Sequence, residues 1–206
     1  MKIISYTTGP IQVNTYLVYD EKTKKGFIVD PGGYCQPLAD KVKELGLTIE
    51  YIILTHGHGD HIGGVEGHLK DFPGAKVVAH EEEKEMLSDG RLNASEEMFG
   101  KPVTVDADLY VKDNDVLQVG NMELKFLFTP GHTKGGMCIY TDGHLFSGDT
   151  LFQYSVGRTD FYGGDFRALT NSIKDRIFTL PDDTVVLPGH MGLTTVGDEK
   201  RGNPFV

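Results

Sequence analysis

The sequence predicts an α/β or mixed α+β fold whose sheets are covered by helices. Three observations carry this expectation. Short runs rich in Val, Ile, Phe and Tyr recur along the chain, they outnumber the helical patterns, and the two kinds of segment are interleaved. Most of the runs stop at Gly, Pro, Asp or Asn, as strands do.

In order, strands are expected at Lys2–Tyr6, Thr15–Tyr19, Gly26–Val29, Tyr51–Leu54, Lys76–Ala79, Val116–Val119, Glu123–Phe128, Cys138–Tyr140, His144–Phe146 and Thr184–Leu187. Helical spacing appears at Gln36–Leu45, where Leu38, Val42 and Leu45 share a face and Gly46 ends the pattern. It returns at Phe166–Phe178 with Leu169, Ile173 and Ile177, after Asp165 as N-cap and before Pro181. A shorter helix is expected through Glu81–Leu87, with the acidic run Glu81–Glu85 as its solvated face. The polar stretch Ser88–Pro102 reads as an irregular surface segment. With no internal repeat or low-complexity linker, 206 residues are expected to form one domain, 1–206.

Composition narrows the function. A formal net charge of -10 argues against a sequence-independent grip on a phosphate backbone, so no nucleic-acid partner is expected. No apolar run approaches the roughly 20 residues that cross a bilayer, so no membrane partner is expected either. The start, MKIISYTTGP, lacks the features of a secretory signal, which makes a cytoplasmic location the expectation. Cys35 and Cys138 are too few for a disulfide framework, and Cys138, inside the apolar run Met137 to Tyr140, reads as a buried small side chain.

One segment dominates the chain: Leu54-Thr55-His56-Gly57-His58-Gly59-Asp60-His61-Ile62-Gly63-Gly64. Three histidines and an aspartate fall within six positions, directly after an apolar strand. Imidazole and carboxylate are the ligands that suit zinc, iron or manganese. Gly57 and Gly59 free the backbone to turn, so that alternate side chains can converge. A solvated polar loop has no need of this pattern. Three later segments repeat a strand followed by a turn with a metal-capable residue: Thr129-Pro130-Gly131-His132-Thr133, Ser147-Gly148-Asp149-Thr150 and Pro188-Gly189-His190. Each is weak alone; together with the first cluster they make a joint signal.

The run THGHGDHIGG, followed by TPGHT, GDTLF and PGH, resembles the metallo-β-lactamase-fold hydrolase superfamily. GDTLFQYSVGRTDFYGGD and the ending GDEKRGNPF are similar to its short glyoxalase II-like branch, also called hydroxyacylglutathione hydrolase-like. The resemblance implies a four-layer αββα sandwich with the site at one edge, between the sheets. It implies a first metal on His56, His58 and His132, a second on Asp60, His61 and His190, and Asp149 bridging them. Asp60 and Asp149 are its expected catalytic carboxylates. Two divalent cations, with zinc ahead of iron or manganese, would stand about 3.5–4 Å apart, share a hydroxide and stabilise an oxyanion.

Four further residues have two readings each. Asp30, in Val29-Asp30-Pro31-Gly32-Gly33, either starts a turn or supports a ligand histidine, as the family's aspartate does. Thr133 either supports the site or belongs to its turn. Arg158 and Asp160 either orient a substrate carboxylate or form an internal pair that shapes the loop, the second being favoured. His68, His80 and His144 read as structural or surface residues, and Phe161 and Tyr162 as exposed aromatics near the site.

The expected activity is hydrolysis of an acyl bond in a small molecule, foremost a hydroxyacyl-glutathione-type thioester, whose thiolate leaves with little need of protonation. Full-length glyoxalase II carries a C-terminal helical extension that contacts glutathione; the stretch after His190 in this sequence is not expected to supply it, so glutathione specificity is not implied by the resemblance. The alternatives are a mononuclear iron persulfide dioxygenase, which shares a GRTD stretch, and a lactonase or esterase of the same superfamily. β-Lactamases commonly place a cysteine where Asp149 stands, and flavodiiron proteins a glutamate at the His58 position, so both fit less well.

Overall fold

Period-two alternation decides how the layers stack. In strand β2 (Val13–Tyr19), Tyr16 and Val18 point to one side and Leu17 and Tyr19 to the other, and all four are buried. A strand buried on both faces needs a layer against each. The computed structural model, which describes residues 1–206, supplies them.

The first sheet runs in the order β1 (Lys2–Thr8), β2, β3 (Lys25–Val29), β4 (Thr48–Ile53), β5 (Lys76–His80) and β6 (Leu109–Val111). Its first two pairings are antiparallel and the remaining three parallel. The chain then forms β7 (Val116–Val119), β8 (Met122–Phe128), β9 (Met137–Thr141) and β10 (His144–Gly148), a two-stranded ribbon of β11 (Leu151–Phe152) and β12 (Ser155–Val156), and finally β13 (Val185–Pro188) and β14 (Thr194–Thr195). The second sheet has the order β14-β13-β10-β9-β8-β7, with only β10 and β13 parallel.

Between the sheets lies the inner layer, where Phe27, Val29 and Ile53 from the first meet Phe126, Ile139 and Phe146 from the second. Outside the first sheet pack helices α1 (Gln36–Leu45), α2 (Gly59–Ile62) and α3 (Val65–Asp71), through Leu38, Val42, Ile62 and Val65. The short α4 (Lys84–Leu87) and α5 (Ser95–Phe99) follow. Outside the second sheet, α6 (Phe166–Ser172) and α7 (Val196–Gly202) contribute Leu169 and Val196 to a third cluster with Leu127, Cys138 and Val186. The order is helix, sheet, sheet, helix. No helix is long and apolar enough to cross a membrane.

Local chemistry explains the ends of the helices. Gly46 closes α1 at φ 63°, a left-handed position that favours glycine. The Asp165 carboxylate accepts from the Ala168 amide at 2.9 Å and starts α6. Thr195 does the same for α7 through the Asp198 amide.

Three sequence expectations need correction. The helix through Phe178 is α-helical only to Ser172; Ile173–Ile177 continue in the wider π turn, which still buries Ile173 and Ile177. Ser88–Pro102 is not wholly irregular, because it contains α5. A five-residue helix is marginal by itself, and this one is held by tertiary contacts: Asn93 and Ser95 are buried, and the Asn93 carbonyl accepts from the Gly59 amide at 2.8 Å. The acidic run is not a uniformly solvated face, because Glu83 is 1% exposed. The short strands β6, β11, β12 and β14 and the helices α2 and α7 add to the predicted elements.

Candidate metal centre

The site is built on strand ends. β8, β10 and β13 run in one direction in the second sheet, so their C-terminal turns, carrying His132, Asp149 and His190, leave from the same edge. β4 of the first sheet delivers His56 and His58 to that edge, and α2 turns Asp60 and His61 inward. Two backbone bonds fix the meeting: Met137 donates to the Thr55 carbonyl at 2.9 Å and Gly189 to the Gly148 carbonyl at 2.8 Å. At Gly189 a Cβ would overlap the Asp149 carboxylate and the His61 ring, so only glycine fits there.

All seven sequence-predicted residues come together. His132 Nε2 lies 2.9 Å from His58 Nδ1 and 3.3 Å from His56 Nε2, which makes one group. His190 Nε2 lies 3.3 Å from Asp60 Oδ2, and His61 Nε2 lies 3.8 Å from the same oxygen, which makes a second. Asp149 faces both groups: Oδ1 is 3.3 Å from His61 Nε2, and Oδ2 is 3.7 Å from His132 Nε2 and 3.6 Å from His190 Nε2.

Hydrogen bonds outside the cluster fix the tautomers. The Thr55 hydroxyl donates to Asp30 Oδ2 at 2.6 Å, so toward His56 Nδ1, 3.1 Å away, it accepts. His132 Nδ1 donates to the Arg158 carbonyl at 2.7 Å, and His61 Nδ1 to Asp30 Oδ2 at 3.0 Å. In the neutral ring each Nε2 therefore presents a lone pair to the centre. The lone pairs of His56 and His132 oppose each other, and that of His61 opposes a carboxylate. His61 Nε2 and Asp149 Oδ1 are buried without a hydrogen-bond partner. Asp60 and Asp149 pair with histidines only and have no Lys or Arg partner. Buried acceptors converging without donors fit cations.

The electrostatics agree. Burial, reinforced by the neighbouring histidines, holds His56 well below its ordinary pKa, and burial and His132 push His58 down to about 3. Burial also lowers His132. These imidazoles are neutral at physiological pH, as metal ligands must be. At His61 burial acts downward, but Asp149 and Asp60 outweigh it and raise the pKa; at Asp149 burial acts upward, but His61 outweighs it and holds the carboxyl below the usual range. The pair seeks positive charge.

Around the cluster, Asp30 directly follows β3 and contacts His61. Its Oδ1 accepts from the Thr55 amide at 2.8 Å. Thr133 touches no ligand histidine; its hydroxyl donates to Glu83. Arg158 and Asp160 form the internal pair, bidentate at 2.7 Å on both bonds, with the guanidinium 3.8 Å above the Phe161 ring. His68 is buried and accepts from the Cys35 amide, and His80 stacks on Phe128 at 4.3 Å. His144, expected to be exposed, is half-buried and donates to the Asp142 carbonyl. Phe161 and Tyr162 are likewise half-buried rather than exposed.

A cleft opens over the cluster, walled by Ala94 and Met98 next to and in α5, Phe152 and Val156 of the ribbon, and Phe161. Its only titratable lining groups outside the seven are Glu97 and Arg158. Sequence reasoning missed Glu83, which accepts from the amides of Gly57 at 2.9 Å and Gly135 at 2.8 Å. A signal was present: Glu83, Met86 and Leu87 stand at i, i+3, i+4 and form the buried side of their helical turn.

The model of the metallo-beta-lactamase superfamily matches residues 8–190. The chain belongs to the metallo-beta-lactamase superfamily. Its two sheets, their covering helices and the edge site are that superfamily's fold. Among curated relatives, it is 36% identical to hydroxyacylglutathione hydrolase GloC of Haemophilus influenzae, over 95% of this chain and 93% of the other. It is 33% identical to the human mitochondrial persulfide dioxygenase ETHE1, over 92% of this chain and 70% of that one. Among solved structures, BLEG-1 B3 metallo-beta-lactamase has a TM-score of 0.92 at 40% identity, covering 99% of both chains. The di-iron-bound form of TTHA1623 has a TM-score of 0.84 at 32% identity, covering 98% of this chain and 100% of that one. The chain is thus a metallo-hydrolase superfamily member with a His/Asp metal site.

Proposed function

We propose that the chain is a dinuclear metal hydrolase that cleaves acyl thioesters of the hydroxyacyl-glutathione type. The observation that carries this reading is the complete second group, Asp60, His61 and His190, sharing Asp149 with His56, His58 and His132. In this reading the two groups hold one divalent cation each, zinc ahead of iron or manganese, and Asp149 holds both. Such a pair, when bound, supplies an ionised water as nucleophile and compensates the charge developing on a carbonyl oxygen.

The chain's own part is positioning. Asp30 keeps the His61 proton on Nδ1, and the Arg158 carbonyl keeps that of His132 on Nδ1, so each Nε2 stays available. Apolar walls at Met98, Phe152, Val156 and Phe161 limit water around the scissile bond. A thiolate leaves without a protein acid, which fits a cleft whose additional titratable groups are Glu97 and the paired Arg158. The likeness to GloC supports the thioester.

The identity with ETHE1 favours a second reading, in which one iron serves a persulfide dioxygenase. The test is metal content per chain by elemental analysis, run with S-lactoylglutathione hydrolysis on the same preparation. About two cations with thioester turnover supports the hydrolase. A single iron, with oxygen uptake on glutathione persulfide and no hydrolysis, replaces it with the dioxygenase. Because BLEG-1 is 40% identical, a β-lactam belongs in the same panel.

A further inference from the structure

We propose that Glu83 is a positioning residue for the three-histidine group, acting through the two loops that carry His58 and His132. Its carboxylate is 1% exposed and has no Lys or Arg partner, a costly placement that only its hydrogen bonds compensate. Oε2 accepts from the Gly57 amide, between His56 and His58. Oε1 accepts from the Gly135 amide and the Thr133 hydroxyl, just after His132. One side chain thus ties a loop of the first sheet to a turn of the second.

The approach is close at both contacts. A Cβ at Gly57 would meet Glu83 Oε2 at 2.8 Å, and one at Gly135 would meet the Glu83 backbone nitrogen at 2.5 Å and its Cγ at 2.8 Å. None of these bonds reaches Asp60, His61 or His190. Asp30 contacts His61 and, through Thr55, His56, so it touches both groups. Glu83 is the buried carboxylate whose bonds are confined to the loops of the three-histidine group.

Glu83→Gln keeps the shape but turns an NH2 toward an N–H on one of the two loops, so a bond is lost whichever way the amide sits. The inference rests on the ligand assignment proposed above, which Zn2+ binding by the His190→Ala chain tests separately. Zn2+ affinity is measured by chelator competition in two backgrounds: His190→Ala, which retains the three-histidine group, and His58→Ala, which retains Asp60 and His61 with His190. Glu83→Gln is expected to weaken binding about 10–100-fold in the first and to leave the second within about twofold. Equal weakening in both, or none in the first, overturns the proposal. If Glu83→Gln does not fold by circular dichroism, Thr133→Val and Thr133→Ser take its place. A loss confined to the His190→Ala background and restored by serine is expected, and a loss that serine does not restore overturns the selectivity.

Discussion

Asp30 Oδ2 accepts the Nδ1–H of His61 at 3.0 Å, and this contact decides which nitrogen of the ring faces Asp149. Asp30 does so from a left-handed backbone, φ 47°, a strained position held by two further bonds from Thr55. Asp30→Asn preserves the shape and removes one acceptor. Turnover is expected to fall about 10–100-fold, as for other residues that orient metal ligands. Steady-state kinetics at saturating metal measure it, and parental turnover would show that His61 needs no such partner.

Asp149 faces both His/Asp groups. Asp149→Ala is expected to lower the metal content from about two cations per chain to about one and to abolish most turnover. Elemental analysis after exhaustive dialysis gives the answer. Two retained cations with near-normal turnover would refute the ligand scheme.

Gly189 allows β13 to pass against the cluster. Gly189→Ala would drive a Cβ into the Asp149 carboxylate and the His61 ring, and the Gly189–Gly148 bond prevents the backbone from backing away. Metal loss is expected, with a destabilisation of about 1–3 kcal/mol from overpacking. Thermal unfolding of metal-free and metal-loaded forms separates the two effects. An unchanged Tm in both would contradict the packing argument.

Asp20 gives a pH dependence away from the metals. Its carboxylate accepts from the amide of Lys22, with further bonds from Thr23 and Asn121, and these hold its pKa below the ordinary 3.8 despite some opposing burial. The folded pKa is depressed, so the stabilisation is present above the unfolded value and is lost as pH falls below 3.8 toward the folded one. Metal-free Asp20→Asn should therefore unfold at lower temperature than the parent at pH 6, with the gap narrowing at pH 3. A constant gap across that range would remove Asp20 as its cause.

The long strands, the covering helices and the seven side chains that converge at the sheet edge were legible because each leaves a local mark. Period-two runs gave the long strands, and the spacing of Leu169, Ile173 and Ile177 gave the helix that covers the second sheet. The histidine run stands out because its chemistry is dense within a few positions. Glu83 was obscured by its own neighbours: in a run of three glutamates, only its i, i+3, i+4 spacing with Met86 and Leu87 marks it as the one that turns inward. The short helix Ser95–Phe99 was obscured for the opposite reason, since its sequence is polar and its order comes from Asn93 and Ser95 packing against Gly59.

The sequence by itself determined the superfamily, the layered class and which side chains have the donors for a metal centre, because strand periodicity and ligand chemistry are properties of short segments. Tertiary structure decided the rest. It chose the tautomers of His56, His61 and His132 through Thr55, Asp30 and the Arg158 carbonyl, and it set the Arg158 guanidinium against Asp160 and Phe161. It also buried Glu83 between two loops, one 26 residues before it at Gly57 and one 50 residues after it at Thr133. A hydrogen-bond partner or a desolvated carboxylate depends on which backbone groups two sheets bring to one edge, and that pairing is written in no single stretch of chain.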